Sequence, residues 1–210
     1  MSDETMAGEE RSMASLVAAL KEVAEGGHPE AQYRLGLLHA QGKELPLDYS
    51  AAAAWFGRAA EQGFREAQRE LGWLYANGFG VAQDDTRAHA CYRAAAEAGD
   101  ARSQYLLGLD LQRRRPADAE ETATMLRWYQ AAAEQGYMPA QYALGKLLAD
   151  GELAPRNDEA AFRWLSLAIM HGSESGKEAL AMLSARLDEE VLAAYKARML
   201  EAMQSDSDGG

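Results

Sequence analysis

The chain has 210 residues, 48% hydrophobic but only 8% aromatic, with a formal net charge of −12; its alanine-dominated apolar share predicts closely packed helices. Six acidic charges sit at the ends (Asp3, Glu4, Glu9, Glu10, Asp206 and Asp208), leaving −6 for residues 11–204, and without a basic face to neutralise phosphates nucleic-acid binding is excluded. The single cysteine rules out an intramolecular disulfide framework and fits a reducing compartment, and no apolar run approaches the roughly 20 residues of a membrane span.

In chain order, MSDETMAGEE lacks the basic and apolar regions of a signal peptide, so a cytoplasmic protein with no membrane partner is expected. Residues 1–10 read as a disordered tail and 11–27 as an N-terminal cap, with one helix over SMASLVAALKEVAE at 12–25. Residues 28–63 form a first unit with helices over about 30–41 and 49–62. Ala31, Leu35, Gly36, Gly42, Asp48, Ala52, Ala59, Ala60 and Gly63 then return 36 residues later as Ala67, Leu71, Gly72, Gly78, Asp84, Ala88, Ala95, Ala96 and Gly99. A third unit, 100–136, keeps Leu107, Gly108, Trp128, Ala132, Ala133 and Gly136; a fourth, 137–172, keeps Ala140, Leu144, Gly145, Gly151, Trp164, Ala168 and Gly172. Self-similarity at this period predicts stacked helical repeats. Residues 173–204 read as C-terminal capping helices, a degenerate first helix at 176–185 with Ala181 in the glycine slot and an amphipathic one at 187–203; a second tail follows at 205–210.

Gly42, Gly78 and Gly151 are placed to end first helices, and Asp48 and Asp84 to cap second ones. Gly36, Gly72, Gly108 and Gly145 lie inside first helices, where each costs about 1 kcal/mol relative to alanine. They are read as sites of close helix approach against the alanine pairs Ala59-Ala60, Ala95-Ala96 and Ala132-Ala133. Trp55, Cys91, Trp128 and Trp164 share one slot, which predicts a buried cysteine.

The pattern A-x-x-x-L-G-x-x-Y-x-x-G, then D-x-x-x-A-x-x-W and A-A-x-x-G, resembles the Sel-1-like repeat (SLR), a relative of the tetratricopeptide repeats. AQRELGWLYANGFGVAQDDTRAHACYRAAAEAG at 67–99 carries it most fully, and the resemblance covers roughly 28–172. It implies an all-α fold, an α/α right-handed superhelix of about four helix-turn-helix repeats with helical caps, acting as a scaffold or adaptor for protein complexes, often in bacteria. Two departures stand out: unit three reads LQRRRPADAEE where a glycine is expected near 114, and His39 stands where unit two has Tyr75.

In tetratricopeptide-like superhelices the first helices line the concave face. By register this places Tyr33, Leu37 and Gln41, then Arg69, Trp73 and Asn77, then Tyr105, Leu109 and Arg113, then Tyr142, Lys146 and Asp150 on a surface for another protein or peptide segment. Tyrosine, tryptophan and arginine suit such a surface, yet the ladder Tyr33, Arg69, Tyr105, Tyr142 equally suits packing between repeats. Arg113, Arg114 and Arg115 could grip an acidic peptide, although pairing with Asp118, Glu120 and Glu121 is favoured.

Asp85 and His89, at i and i+4, offer two metal ligands without a third, and His28, His39, His89 and His171 each fall at a different repeat phase, whereas catalysis needs a converging set of groups. The reading is therefore a non-catalytic protein, with no cofactor and no metal. The alternatives are a hydrolase with a groove site dependent on His89, or a homodimer formed through the apolar face of the closing helix.

Overall fold

The computed structural model describes the backbone of residues 3–208 and the side chains of residues 14–201 and 204. Its helices are α1 (Asp3–Glu25), α2 (Pro29–Gln41), α3 (Tyr49–Glu61), α4 (Arg65–Asn77), α5 (Asp85–Glu97), α6 (Ala101–Arg114), α7 (Ala119–Glu134), α8 (Met138–Asp150), α9 (Asp158–Met170), α10 (Glu174–Ser184) and α11 (Glu189–Asp208). No strand occurs among the described residues. The fold is all-α, of the α/α solenoid class. The expected tails lie partly outside the described residues; the backbone of 3–10 and 205–208 continues α1 and α11.

Two compact units divide the chain, Met1–Ser103 and Gln104–Gly210. In the first, α2 packs on α3, α4 on α5, and α1 covers α2. In the second, α8 packs on α9, α10 follows against α9, and α11 also lies on α9.

Second helices begin with side-chain caps. Asp48, Asp84, Asp118 and Asn157 accept from the backbone N–H of Ala51, Arg87, Glu121 and Ala160 at 2.9–3.0 Å, filling one of the unpaired amides at each helix start. The first helices α2, α4 and α8 open instead on His28, Phe64 and Tyr137, none of which caps through its side chain.

The four helix-interior glycines meet large side chains rather than alanines, which corrects the sequence expectation. A Cβ on Gly36 would lie 2.6 Å from the Phe56 ring, on Gly72 3.1 Å from the Tyr92 ring, on Gly108 2.8 Å from the Tyr129 ring, and on Gly145 2.8 Å from Leu165 Cγ. Each partner stands one residue after the tryptophan slot, so the missing methyl admits a bulky side chain into the helix contact. The buried Tyr129 hydroxyl also donates to Gln112 Oε1. Ala181, in the same phase, is exposed. The closing helix turns to α9 instead: Leu192, Tyr195 and Met199 pack against the core containing Phe162 and Leu165.

Successive helices are also joined by buried amides. Gln32, Gln68 and Gln141 donate through Nε2 to the carbonyls of Ala24, Ala60 and Ala133 at 3.0–3.2 Å. Gln62 and Gln135 donate to Gln32 and Gln104, and His171 Nδ1 lies 2.8 Å from Gln141 Oε1. Because the Gln141 amide nitrogen faces Ala133, its oxygen accepts, and His171 Nδ1 is the donor. In the second repeat the donor position holds Ala98, and Gln68 Oε1 is buried with no partner among the described residues.

The irregular third repeat has a local solution. Arg115 takes φ +58, the left-handed conformation that Gly42, Gly78 and Gly151 adopt after α2, α4 and α8.

Candidate partner-binding face

In the first unit, the Tyr33 ring lies 5.8 Å from Phe56 and 5.2 Å from Phe64, and burial, followed by the charge of Glu70, pushes its hydroxyl pKa up. Leu37 packs half-buried against the same core. Arg69 is engaged, bonding Asp100 at 2.6 Å and Glu70 at 2.8 Å. Trp73 is 39% exposed, and the exposed Asn77 donates to the Trp73 carbonyl at 2.8 Å.

Trp73 is not alone. Its ring centroid is 5.1 Å from Phe79, which is 40% exposed and stacks on Tyr49 at 5.1 Å. Sequence reasoning passed over both residues. Their signal is the loop Gly78-Phe79-Gly80, since a Cβ on Gly80 would lie 2.2 Å from the Tyr49 backbone carbon and its φ is +70. Only glycine lets this loop close onto the start of α3, with Ser50 Oγ donating to the Gly80 carbonyl at 3.0 Å.

In the second unit, Tyr105 lies 5.8 Å from Tyr129 and 5.5 Å edge-on to Tyr137. Burial, then the neighbouring Tyr137, raises its pKa. Tyr105, Leu109, Tyr142 and Lys146 line a cleft of about 260 Å³ with Leu147, Asp150, Glu152 and Leu153. A second cleft of about 270 Å³ shares Tyr142, Lys146 and Asp150 and continues over Glu178, Ala179, Met182 and Arg186. Arg113 is exposed at the end of α6, and its charge acts on Tyr105.

Thus the second unit brings Tyr105, Leu109, Tyr142, Lys146 and Asp150 to adjoining clefts, with Arg113 outside their lining, and α10 lines the second of them. Adding the period to Tyr142, Lys146 and Asp150 gives Glu178, Met182 and Arg186. This extension was missed because 173–204 was read only as a cap.

Several other readings change. Cys91 is half-buried, not buried, and burial raises its thiol pKa. Arg114 pairs back along its own helix with Asp110 at 2.7 Å. No ion pair among the described residues joins Arg113, Arg114 or Arg115 to Asp118, Glu120 or Glu121; Asp118 is spent as a cap and Glu121 accepts from the Ala117 amide. Part of the apolar face offered for a homodimer, Leu192, Tyr195 and Met199, packs half-buried within its own unit against the core that holds α9's Phe162 and Leu165, while Leu200 is exposed. A cavity of about 500 Å³ remains between α9 and α11, lined by Phe162, Trp164, Leu167, Tyr195 and Met199 with Arg163, Arg198 and Glu159. No three His, Cys, Asp or Glu side chains converge as metal ligands among the described residues, and no described helix is long and apolar enough to cross a membrane.

Paired helices recurring every 36 or 37 residues, with a glycine at each contact, define an α/α repeat protein. The Sel1 repeat model matches residues 29–64, 65–100, 126–137 and 139–173, more than half of the chain. The chain belongs to the Sel1 repeat family, whose members are generally protein-interaction scaffolds. Between the second and third matches, 101–125 is unmatched; it holds the first helix and loop of the irregular third repeat, where Arg115 takes the left-handed conformation.

The chain is similar to a Sel1 repeat protein from Oxalobacter formigenes, with 28% identity and a TM-score of 0.73 over 80% of this chain and 48% of that one. It is also similar to a protective antigen present in uropathogenic Escherichia coli strains that displays an SLR fold, with 27% identity and a TM-score of 0.71 over 90% of this chain and 41% of that one. The chain thus spans less than half the length of both. No curated protein matches the sequence.

Proposed function

We propose that the chain is a non-catalytic adaptor that holds a segment of another protein along the face of its first helices, the concave face expected from the repeat register. The two adjoining clefts over α6, α8 and α10 carry this reading: both are lined by Tyr142, Lys146 and Asp150, and together they mix apolar side chains such as Leu109 and Met182 with charged ones such as Glu152 and Glu178. That combination suits a peptide segment better than a small-molecule reaction, which needs converging catalytic groups. The exposed Trp73–Phe79 surface gives the first unit a contact area of its own. A cytoplasmic setting accords with the single cysteine.

The test is recovery of protein partners on wild-type chain and on Leu109→Asp and Lys146→Glu variants. These positions line the cleft without holding the Tyr105 ring stack. Loss of the same partners by both variants, with helical circular dichroism unchanged, is the expected result. Undiminished recovery contradicts the assignment of this face.

A further inference from the structure

We infer that the cleft of the second unit selects segments whose apolar residues are flanked by lysine or arginine; this rests on the reading of the cleft as the binding surface. The cleft's own cations are occupied. Lys146 Nζ sits 2.9 Å from Asp150 Oδ2, and the hydrogen bond it donates to that carboxylate raises the lysine's pKa. Arg186 is held 2.9 Å from Asp158 and also donates to the Ala149 carbonyl. By contrast, Glu152 and Glu178 form no salt bridge among the described residues, although the charge of Lys146 reaches Glu152; Glu152 lines the cleft part that holds Leu109 and Tyr142, and Glu178 the part that holds Tyr142 and Met182. Lys177, next to Glu178, is turned to Glu174 at 2.8 Å.

Both carboxylates are exposed in the free chain and so open to hydration by water. A segment laid on Leu109, Tyr142 and Met182, the last 69% exposed, removes that water. Covering an ionised carboxylate without a counter-charge is unfavourable, so a purely apolar or acidic segment is disfavoured. A segment with a cation at each carboxylate recovers the loss through charge-assisted hydrogen bonds. The chain's net charge of −12 adds attraction at long range. Arg113 stands exposed beyond Tyr105 on α6 and, among the described residues, unpaired. The segment's basic residues therefore belong over α8 and α10, not at the α6 edge.

The experiment presents an array of random dodecapeptides to the full wild-type chain, to Glu152→Lys/Glu178→Lys and to Leu109→Asp. Wild type is expected to retain peptides enriched in lysine and arginine beside apolar residues. Their affinity should fall about tenfold or more in the charge-reversed variant, and should weaken with salt. Retained peptides without basic enrichment, or a charge-reversed variant with unchanged preference, overturn the charge selection. If Leu109→Asp abolishes binding in that case, the cleft reading stands. If Leu109→Asp binds like wild type, or wild type retains no peptide, the cleft reading fails and the charge selection fails with it.

Discussion

Arg69 and Asp100 meet at 2.6 Å where the flanking repeats join aromatic rings, Tyr33 to Phe64 at 5.2 Å and Tyr105 to Tyr137 at 5.5 Å. In each case a side chain midway along one first helix meets the residue that opens the next. The second repeat has exchanged a ring pair for an ion pair, with both side chains largely buried, at 17% and 7% exposure. Asp100 also accepts from the Ser103 amide at 2.7 Å, so Asp100→Ala leaves the largely buried guanidinium with Glu70 as its one remaining acid among the described residues and uncaps the amide. The expected loss is about 2 kcal/mol by urea unfolding, and the double variant Arg69→Tyr/Asp100→Phe should recover much of it.

Ala98 stands where Gln62, Gln135 and His171 each supply a hydrogen bond to a buried first-helix amide. Gln68 Oε1 therefore lacks a donor, and Ala98→Gln should provide one. A gain of about 1 kcal/mol in unfolding free energy is expected, vanishing in a Gln68→Leu background.

Gly36→Ala sets two effects against each other. Helix propensity favours alanine by about 1 kcal/mol, but the added methyl would sit 2.6 Å from the Phe56 ring, and overpacking typically costs 1–3 kcal/mol. Packing should prevail, giving a lower urea midpoint. In a Phe56→Leu background, which removes the ring from the contact, the same substitution should become neutral or stabilising.

Arg115 occupies the left-handed region at φ +58, at a cost of roughly 1–2 kcal/mol for a residue with a Cβ. Arg115→Gly should therefore raise stability by about 1 kcal/mol in thermal or urea unfolding, with the helical signal unchanged.

Asp158 contributes to the acid dependence of stability. A hydrogen bond from Arg156 chiefly, opposed by burial and supported by Arg186, holds its pKa below the ordinary carboxylate value. Its contribution is complete above the unfolded value of about 3.9 and is lost as pH falls through the lower folded value. Unfolding free energy measured from pH 5 down to pH 2 should fall less steeply in Asp158→Asn than in wild type.

The fold was legible because the period is written in small residues. Glycines and alanines tolerate few substitutes at a close contact, so Gly36, Gly72, Gly108 and Gly145 fixed the repeat register directly. What met them was not legible: Phe56, Tyr92, Tyr129 and Leu165 share only bulk, and bulk at one position leaves no motif. Of the residues placed on the proposed face by register, Tyr105, Leu109, Tyr142 and Lys146 line one cleft. Arg69 was harder to place, since its partner Asp100 opens the next helix and only the fold brings the two together. Glu178 and Met182 lay in register but inside a segment read only as a cap.

The most direct test of the account places a photo-crosslinking benzoyl-phenylalanine in turn at Leu109, Met182 and Met170 of the full chain, followed by identification of crosslinked partner peptides. Leu109 and Met182 line the first-helix cleft, while Met170 is exposed at the end of α9. Crosslinks to the same partner segment from Leu109 and Met182, with none from Met170, are the predicted result. Crosslinks from Met170 alone would contradict the account.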